Sequence, residues 1–247
     1  MLKKVAVGVI IVGFSFLTVI RAATWGDPLL LAVDLVAKNP LSTRASSDLA
    51  TLYVGMSDSN PNSPFFGMGE QEFERASHLP NASPLPEQGL ILMAATTGQP
   101  VKEEWWDRLI EKLQTQPIGP QQLLAVTGFL KPRYDGIEIS DQRIAQAYTT
   151  LLSRRPQAPI YYVQYGNFVL RYLNDPQLAS QLFAKAIERN PGDVAYALKI
   201  ARALLEDRHP QQALAVIDKA QALKMADPDQ EFSTLRSLAL KMESVLP

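Results

Sequence analysis

Few side chains in this sequence offer the chemistry that catalysis or metal binding requires. The chain has no cysteine and two histidines, His78 and His209. The lack of cysteine excludes thiolate nucleophiles and thiolate-ligated metal sites, and neither histidine lies in a motif that uses imidazole as a ligand or a general base. Glu103, Glu104 and Asp107 lie close together, but carboxylates are expected in the first turn of a helix because of its dipole. We therefore predict a non-enzymatic protein that holds no metal and no cofactor.

The N-terminal segment is the first element that would position the rest. Lys3 and Lys4 precede Val5–Ile20, an uncharged apolar run, and Arg21-Ala22-Ala23 extends this run when the arginine reaches the far interface. One interpretation is an uncleaved signal anchor over residues 1–23, with the lysines held in the cytoplasm. The other is a signal peptide whose cleavage site is weak, because Arg21 separates the two small-residue positions. We favour the anchor, since the run approaches the length of a transmembrane helix.

Both interpretations place the remainder of the chain outside the cytoplasmic membrane. Three of the 24 basic residues lie in the first 23 positions, so the exported body carries 21 basic against 25 acidic residues. Such a body has no basic excess with which to bind nucleic acid phosphates. The sequence predicts a single-pass protein of the bacterial inner membrane whose C-terminal body lies in the periplasm.

The body contains an internal repeat. LASQLFAKAIERNPGD (178–193) is followed by QALAVIDKAQALKMAD (212–227), and the small and bulky residues of the two segments lie 34 positions apart. Small residues let two helices approach, and a bulky residue one turn further on fills the space beside them. Asn190-Pro191 ends one helix and Asp193 can cap the next. The aligned pairs are Ala179 with Ala213, Phe183 with Ile217, and Ala186 with Ala220.

The first helix of each repeat unit carries a large residue followed by a small one. These pairs are Tyr165-Gly166 and Ile200-Ala201, and the first of them needs one extra residue before the next helix begins. Asp227-Pro228 is predicted to open a final, capping helix. Its apolar face would comprise Phe232, Leu235, Leu238, Met242 and Val245.

Weaker copies of the pattern lie upstream. Ala32–Pro40 resembles Phe183–Pro191, and Phe73, Ala76 and Pro80 keep the bulky, small and stop positions with one residue missing. We therefore predict degenerate helical repeats over residues 24–157, and two well-matched units with a capping helix over residues 158–247.

A period of 34 residues with two helices per unit is that of the tetratricopeptide repeat, and the body resembles this family. The resemblance implies an all-α, right-handed solenoid of helical hairpins. From Gly89 onward, the chain is also similar, more loosely, to exported repeat regions of bacterial envelope-polysaccharide systems, such as those of O-antigen ligase-like and polymerase-like enzymes. This second similarity rests on a pattern and not on a catalytic motif.

The resemblance also implies a binding groove formed by the first helix of each unit. Arg171, Lys199 and Arg202 would be a basic trio suited to a carboxylate on an acidic peptide or saccharide, or simply solvated surface charges. The clamp lysine of the family is replaced by Val163, so a clamp-type adaptor is not expected. The groove positions carried over from the family are Gln164, Asn167, Arg171, Lys199, Arg202 and Glu206.

Two aromatic pairs lie outside this pattern. Phe65 and Phe66 occur within SDSNPNSPFFGMG, whose turn-forming residues predict a loop that either contacts a partner or packs on the body. Trp105 and Trp106 lie on a predicted helical face; we expect one of them in the core and the other free to contact a sugar or a partner.

These features together predict a membrane-anchored periplasmic scaffold. Its body would bind and position a protein component of an envelope machine that assembles or exports a polysaccharide. An assembly chaperone for exported proteins, such as those of pili, secretion systems or cytochromes, is the alternative, and an unrecognised hydrolase is the third possibility.

Overall fold

The structure, a computed structural model, describes residues 2–227 and 229–244, with side chains from residue 7 onward. Within these residues every regular element is a helix, so the predicted all-α class is confirmed. The helices are α1 (Leu2–Gly26), α2 (Pro28–Lys38), α3 (Thr43–Met56), α4 (Pro64–Ser77), α5 (Leu85–Thr96), α6 (Glu103–Thr115), α7 (Pro120–Thr127), α8 (Leu130–Tyr134), α9 (Asp141–Arg154), α10 (Pro159–Phe168), a π-helical segment (Val169–Leu173), α11 (Pro176–Glu188), α12 (Val194–Glu206), α13 (Pro210–Ala222) and α14 (Glu231–Glu243).

The N-terminal helix α1 is long and apolar enough to cross a membrane. Its apolar part, Val7–Gly26, has 20 residues, a mean hydropathy of 2.0 and no residue buried against the rest of the chain. At a rise of about 1.5 Å per residue, this part is roughly 30 Å long, which matches the hydrocarbon thickness of a bilayer. The helix continues past residue 23, the predicted end of the segment, as far as Gly26.

The chain divides into two compact units. The first extends to Ala125 and includes Pro132–Glu138, and the second comprises Val126–Lys131 and the chain from Ile139 onward. Helix α9 therefore belongs to the second unit. The predicted boundary at residue 157 separates degenerate repeats from well-matched ones. It is a division by sequence pattern, whereas the two units are a division by packing.

In the first unit, successive helices pack on one another from α2 to α6, and α3 also contacts α5. Glycine permits two of these contacts. A Cβ atom on Gly69 would lie 2.7 Å from Cγ2 of Val54, and one on Gly89 would lie 2.5 Å from the ring of Phe73. These separations are shorter than carbon atoms tolerate, so neither position admits a side chain without movement of its neighbour.

In the second unit, α10 pairs with α11 and α12 pairs with α13, while α11 also packs on α13. The repeat positions form the core of this arrangement. Gly166 of α10 lies against Phe183 of α11, because an added Cβ atom would be 2.8 Å from the ring. All six aligned positions are completely buried, namely Ala179, Phe183, Ala186, Ala213, Ile217 and Ala220.

An ion pair joins the second helices of the two hairpins. Glu188 of α11 pairs with Lys185 on its own helix at 2.8 Å and with Lys219 of α13. Hydrogen bonds from these two lysines lower the pKa of Glu188 to about 2. Lys185 and Lys219 occupy equivalent positions, 34 residues apart, so the repeat places both cations beside one carboxylate.

The extra residue after Tyr165-Gly166 is accommodated within the helix. Val169–Leu173 is π-helical, and it ends at Asn174 in the left-handed conformation (φ 55°). In the next unit the left-handed residue is Arg208 (φ 62°). It is one residue closer to Ile200-Ala201 than Asn174 is to Tyr165-Gly166. A π-helical turn absorbs a single inserted residue without ending the helix, which explains how both hairpins keep the same packing.

The predicted caps are present in the second unit, but the final helix differs from prediction. The carboxylate of Asp193 accepts a hydrogen bond from the backbone N–H of Tyr196 at 2.9 Å. Helix α14 begins at Glu231, not at residues 227–228, and Asp227 Oδ1 accepts a hydrogen bond from the N–H of Phe232 at 3.2 Å. Phe232 and Ala239 are buried, whereas Leu238 is 46% exposed and does not belong to the packed face. Val245 and Pro228 lie outside the described residues.

Enlarging a completely buried small residue tests this packing. Ala186→Leu should lower the free energy of unfolding by about 1–3 kcal/mol, because α11 has no space for the added carbons. Ala195→Leu on the exposed face of α12 is the matched control and should have little effect. Urea unfolding of the body gives both values; equal stabilities for the two variants would contradict the tight packing at Ala186.

Candidate functional site

The second unit contains a groove between α10 and α12, which we call the second-unit groove. Its volume is about 180 Å³. The completely buried ring of Phe183 forms its floor, and Ile200 and Leu204 add further buried apolar surface. The remaining lining residues are Ile160, Val163, Asn167, Tyr196, Lys199, Ala203 and Asp207.

Tyr196 provides the most distinctive polar group in this groove. Its hydroxyl oxygen is buried and has no hydrogen-bond partner among the described residues. Burial, with a smaller contribution from the nearby Asp193 carboxylate, raises the pKa of Tyr196. The phenol therefore keeps its proton, and its O–H is a donor without an acceptor among the described residues. A buried polar group without a partner costs free energy, and binding of an acceptor would recover that cost.

The size of the groove indicates what it can accept. Pockets for small-molecule ligands usually enclose about 300–1,000 Å³, and this groove falls below that range. Its apolar floor and mixed polar rim suit one bulky side chain of a protein partner together with the adjoining backbone. The geometry therefore favours a protein segment over a small metabolite as the occupant.

A comparable groove occurs in the first unit between α3 and α5, which we call the first-unit groove. Its volume is about 390 Å³, and its lining includes Ser47 and Thr51 of α3 and Leu92 of α5. Phe73 of α4 lies at its base and is 5% exposed. In both units, therefore, a groove lies between alternate helices and is floored by a phenylalanine of the helix between them.

The six predicted groove residues are only partly brought together. Asn167 and Lys199 line the second-unit groove, but Gln164, Arg171, Arg202 and Glu206 do not. Arg202 forms an ion pair with Glu231 of α14, and the guanidinium of Arg171 lies 5.5 Å from the centre of the Tyr172 ring. Of the predicted basic trio, only Lys199 lies at the groove, because the other two side chains have partners near them in the fold.

Val163, the position where the clamp lysine of the tetratricopeptide family would lie, contributes apolar surface to the second-unit groove. The side-chain carbonyl oxygen of Gln164 is buried without a hydrogen-bond partner among the described residues. Glu206 is exposed near the end of α12. The second-unit groove is therefore mainly apolar, and the anion-binding surface of Arg171, Lys199 and Arg202 stays a prediction.

Both aromatic pairs pack against the body, as one of the two alternatives for Phe65 and Phe66 predicted; for the tryptophans only the prediction of one core residue holds. Phe65 and Phe66 lie in the first turn of α4 and not in a loop, since the turn residues end at Ser63 and Pro64 begins the helix. Phe66 is buried, and the ring of Phe65 stacks on Tyr53 with centroids 6.4 Å apart. Both tryptophans are core residues, with Trp105 2% and Trp106 1% exposed, so neither is free to bind a sugar.

The histidines have structural positions. His78 is the C-terminal capping residue of α4, and its Nδ1 lies 2.8 Å from the carbonyl oxygen of Glu74. His209 precedes Pro210 at the start of α13. Across residues 2–227 and 229–244, no cluster of three histidine, aspartate or glutamate side chains is arranged to hold a metal ion.

Sequence reasoning missed a buried ionic network in the first unit. Glu74 accepts hydrogen bonds from Trp105 Nε1 at 2.6 Å and from Arg108 at 2.7 Å. Glu87, which is completely buried, lies 2.6 Å from Lys112 Nζ and 3.7 Å from Arg108 Nε. The network joins α4, α5 and α6. One signal was available in the sequence: Arg108 and Lys112 follow Trp105 by three and seven residues, and so lie on the same helical face.

Burial determines the electrostatics of Glu87. Removal from water raises the pKa of Glu87, although Lys112 and Arg108 act in the opposite direction. Lys112 also donates to the carbonyl oxygens of Ser77 at 2.8 Å and Ser83 at 3.3 Å. This lysine therefore satisfies three acceptors at once, and we assign the network a structural role in holding the three helices together.

Comparison with known proteins adds no family. No protein-family model matches the sequence, and no curated protein matches it. The proposed function therefore depends on the residues and geometry described above.

Removing Lys112 should destabilise the first unit in a pH-dependent manner. Because burial raises the pKa of Glu87 in the folded state, the contribution of Glu87 to the free energy of unfolding declines as the pH rises through that pKa. Loss of Lys112, the nearest cation, raises the pKa of Glu87 further. Lys112→Met should lower the free energy of unfolding at pH 7 by about 3 kcal/mol. The loss should be smaller near pH 4, where the unfolded carboxyl group also binds a proton.

Urea unfolding at the two pH values measures this difference. Lys38→Met is the matched control, because Lys38 pairs with Asp34 on the surface, where its side chain is 58% exposed, and exposed pairs contribute little. A loss for Lys112→Met that is equal at both pH values would show that packing, and not the charge on Glu87, determines the effect.

Proposed function

We propose that this chain is a membrane-anchored, exported scaffold of the tetratricopeptide type that binds a protein partner through its interhelical grooves. The observation that carries the proposal is the second-unit groove, which combines a buried apolar floor with an unpartnered Tyr196 hydroxyl. Such a groove resembles the sites in which one protein receives an anchoring side chain of another, namely a desolvated pocket with a polar rim.

The repeat supports a solenoid of helical hairpins as the architecture. The two hairpins of the second unit bury equivalent residues and share an ion pair at equivalent lysines. The first unit repeats the arrangement of a glycine against a phenylalanine that also lines a groove. Repeat proteins of this kind present rows of grooves along one surface, and they use those surfaces mainly to bind other proteins.

The location in the proposal depends on α1. A span of 20 residues suits a bilayer, and the basic pair Lys3-Lys4 before it favours a cytoplasmic N-terminus with the two units on the periplasmic side. The envelope-polysaccharide context rests on the resemblance of the sequence pattern from Gly89 onward alone, to which the comparisons with known proteins add nothing. We therefore assign the scaffold to a polysaccharide assembly or export machine of the bacterial inner membrane, with one of its protein components as the partner.

The topology is tested with reporter fusions. We expect activity from a reporter that is fused after Pro247 and works only outside the cytoplasm. The protein should also remain in the membrane fraction, with its N-terminus near Met1. Replacing Ile11 and Phe14 with lysine should abolish export, because charges near the centre of the span are costly. A soluble product that begins near Ala23 would instead identify a cleaved signal peptide.

The groove is tested by filling it. Ala203 lines the second-unit groove and is exposed, so Ala203→Trp should occupy the groove while leaving the buried core unchanged. We expect at least a tenfold loss of partner binding, which corresponds to about 1.4 kcal/mol. The measurement is crosslinking in intact cells from a photoreactive residue at Asn167, followed by identification of the captured protein.

Ala195→Trp is the matched control, because Ala195 is an exposed alanine of the same helix that does not line the groove. Both variants should unfold at the same temperature as the natural protein. If Ala203→Trp retains full crosslinking, the partner binds elsewhere; if Ala195→Trp loses it equally, the effect is not specific to the groove.

A further inference from the structure

A second interaction surface involves α2, which follows α1 after a single residue. Asp27 has an extended backbone (φ −118°, ψ 117°), and its carboxylate accepts hydrogen bonds from the N–H groups of Leu29 and Leu30 at 2.9 Å. One extended residue advances the chain by at most about 3.6 Å. The first turn of α2 therefore lies within a few ångströms of the end of the candidate membrane span at Gly26.

Helix α2 is apolar around most of its circumference. Its contact with α3 includes Ala32, which is 5% exposed, while Leu35 is 40% exposed. A separate face carries Leu30, Val33 and Ala37 at positions i, i+3 and i+7, and Leu41 follows shortly after the helix. Leu30 is 54%, Val33 43% and Leu41 69% exposed. We call Leu30, Val33, Ala37 and Leu41 the α2 stripe.

The residues around the α2 stripe are those expected at a membrane surface. Trp25 is 64% exposed, and the guanidinium of Arg21 lies 5.5 Å from the centre of its ring. Tryptophan and arginine both concentrate at the level of the lipid headgroups. Asp34 and Lys38 form an ion pair of 2.6 Å beside the stripe, so a polar edge follows the apolar face along the helix.

The length of the stripe indicates the orientation of α2. Eleven residues of helix extend about 16 Å. If α2 pointed away from the membrane, Leu41 would lie far from the apolar phase and its exposure would be unfavourable. If α2 lies along the surface, Leu30, Val33 and Ala37 reach the headgroup–acyl boundary together, at a depth of about 5–10 Å, and Leu41 remains close to it.

We propose that α2 is an interfacial helix whose stripe inserts into the outer surface of the bilayer and holds the first unit against the membrane. The occupant is lipid, because the covalent link to α1 keeps α2 at the bilayer surface at all times. The proposal rests on the membrane anchoring in the proposed function and adds a second, independent attachment to it.

The natural chain has no cysteine, so single cysteines can report on each position. We would label Val33→Cys of the full chain with a polarity-sensitive fluorophore and reconstitute it in vesicles of phosphatidylethanolamine with a minority of phosphatidylglycerol. The label should emit at shorter wavelength than in water, and lipids with brominated chains should quench it. Arg44→Cys is the control, since Arg44 is 86% exposed on α3, and it should give an aqueous signal.

A label at Phe14→Cys separates the two hypotheses. An aqueous signal from Val33 with a membrane signal from Phe14 would overturn the interfacial helix and leave the anchor intact. Aqueous signals from both would overturn the anchor itself. A Val33 signal that rises with protein density and is not quenched by brominated lipid would assign the α2 stripe to a second copy of the chain, which also overturns the proposal.

Discussion

The packing of both units depends on close contact between paired helices at positions without a side chain. Gly166 meets the ring of Phe183, and Gly89 meets the ring of Phe73. Phe183 lies on the helix after that of Gly166 and Phe73 on the helix before that of Gly89, and each ring fills the space that the glycine leaves. The two residues are mutually dependent: a larger residue at the glycine would overlap the ring, and a smaller residue at the phenylalanine would leave a cavity.

The same phenylalanines also determine the two grooves. Phe183 floors the second-unit groove and Phe73 lies at the base of the first-unit groove. The contact between glycine and phenylalanine that packs the core of each unit therefore also positions the base of the groove that we propose for binding. A site built on helix packing of this kind is preorganised, so a partner need not provide the free energy to order it. This dependence also means that mutations of either ring would alter stability and binding together, whereas Ala203 on the groove wall separates the two.

Sequence periodicity predicted the parts of the fold that follow from local spacing. The 34-residue period identified core positions such as Ala186 and Ala220, both completely buried, and the extra residue in the first hairpin corresponds to the π-helical segment. The prediction of a loop at Phe65 was wrong for a local reason. Pro64, a favoured residue at the first position of a helix, indicated that Phe65 is helical, but the turn-forming residues before it dominated the interpretation.

The environment of Arg202 could not be predicted, because it depends on where α14 packs after the chain has turned, and repeat spacing contains no information on that contact. The buried network around Glu87 was missed for the same reason. Charged residues in a helical sequence are usually solvated, and only tertiary packing brings Glu87 of α5 to Lys112 of α6. Contacts that recur at the repeat spacing, such as the buried alanines and the lysines beside Glu188, follow from the period, whereas charged contacts outside that spacing do not.

The small size of the second-unit groove has a consequence for how the scaffold would work. A groove of about 180 Å³ with one buried hydroxyl provides only a modest binding free energy, since affinity depends on a few anchoring residues. The membrane attachment that we propose would offset this weakness. On the proposed function, confining scaffold and partner to one bilayer would raise their effective concentration at each groove. On the proposed function, weak individual sites would give a stable complex only where scaffold and partner share one membrane.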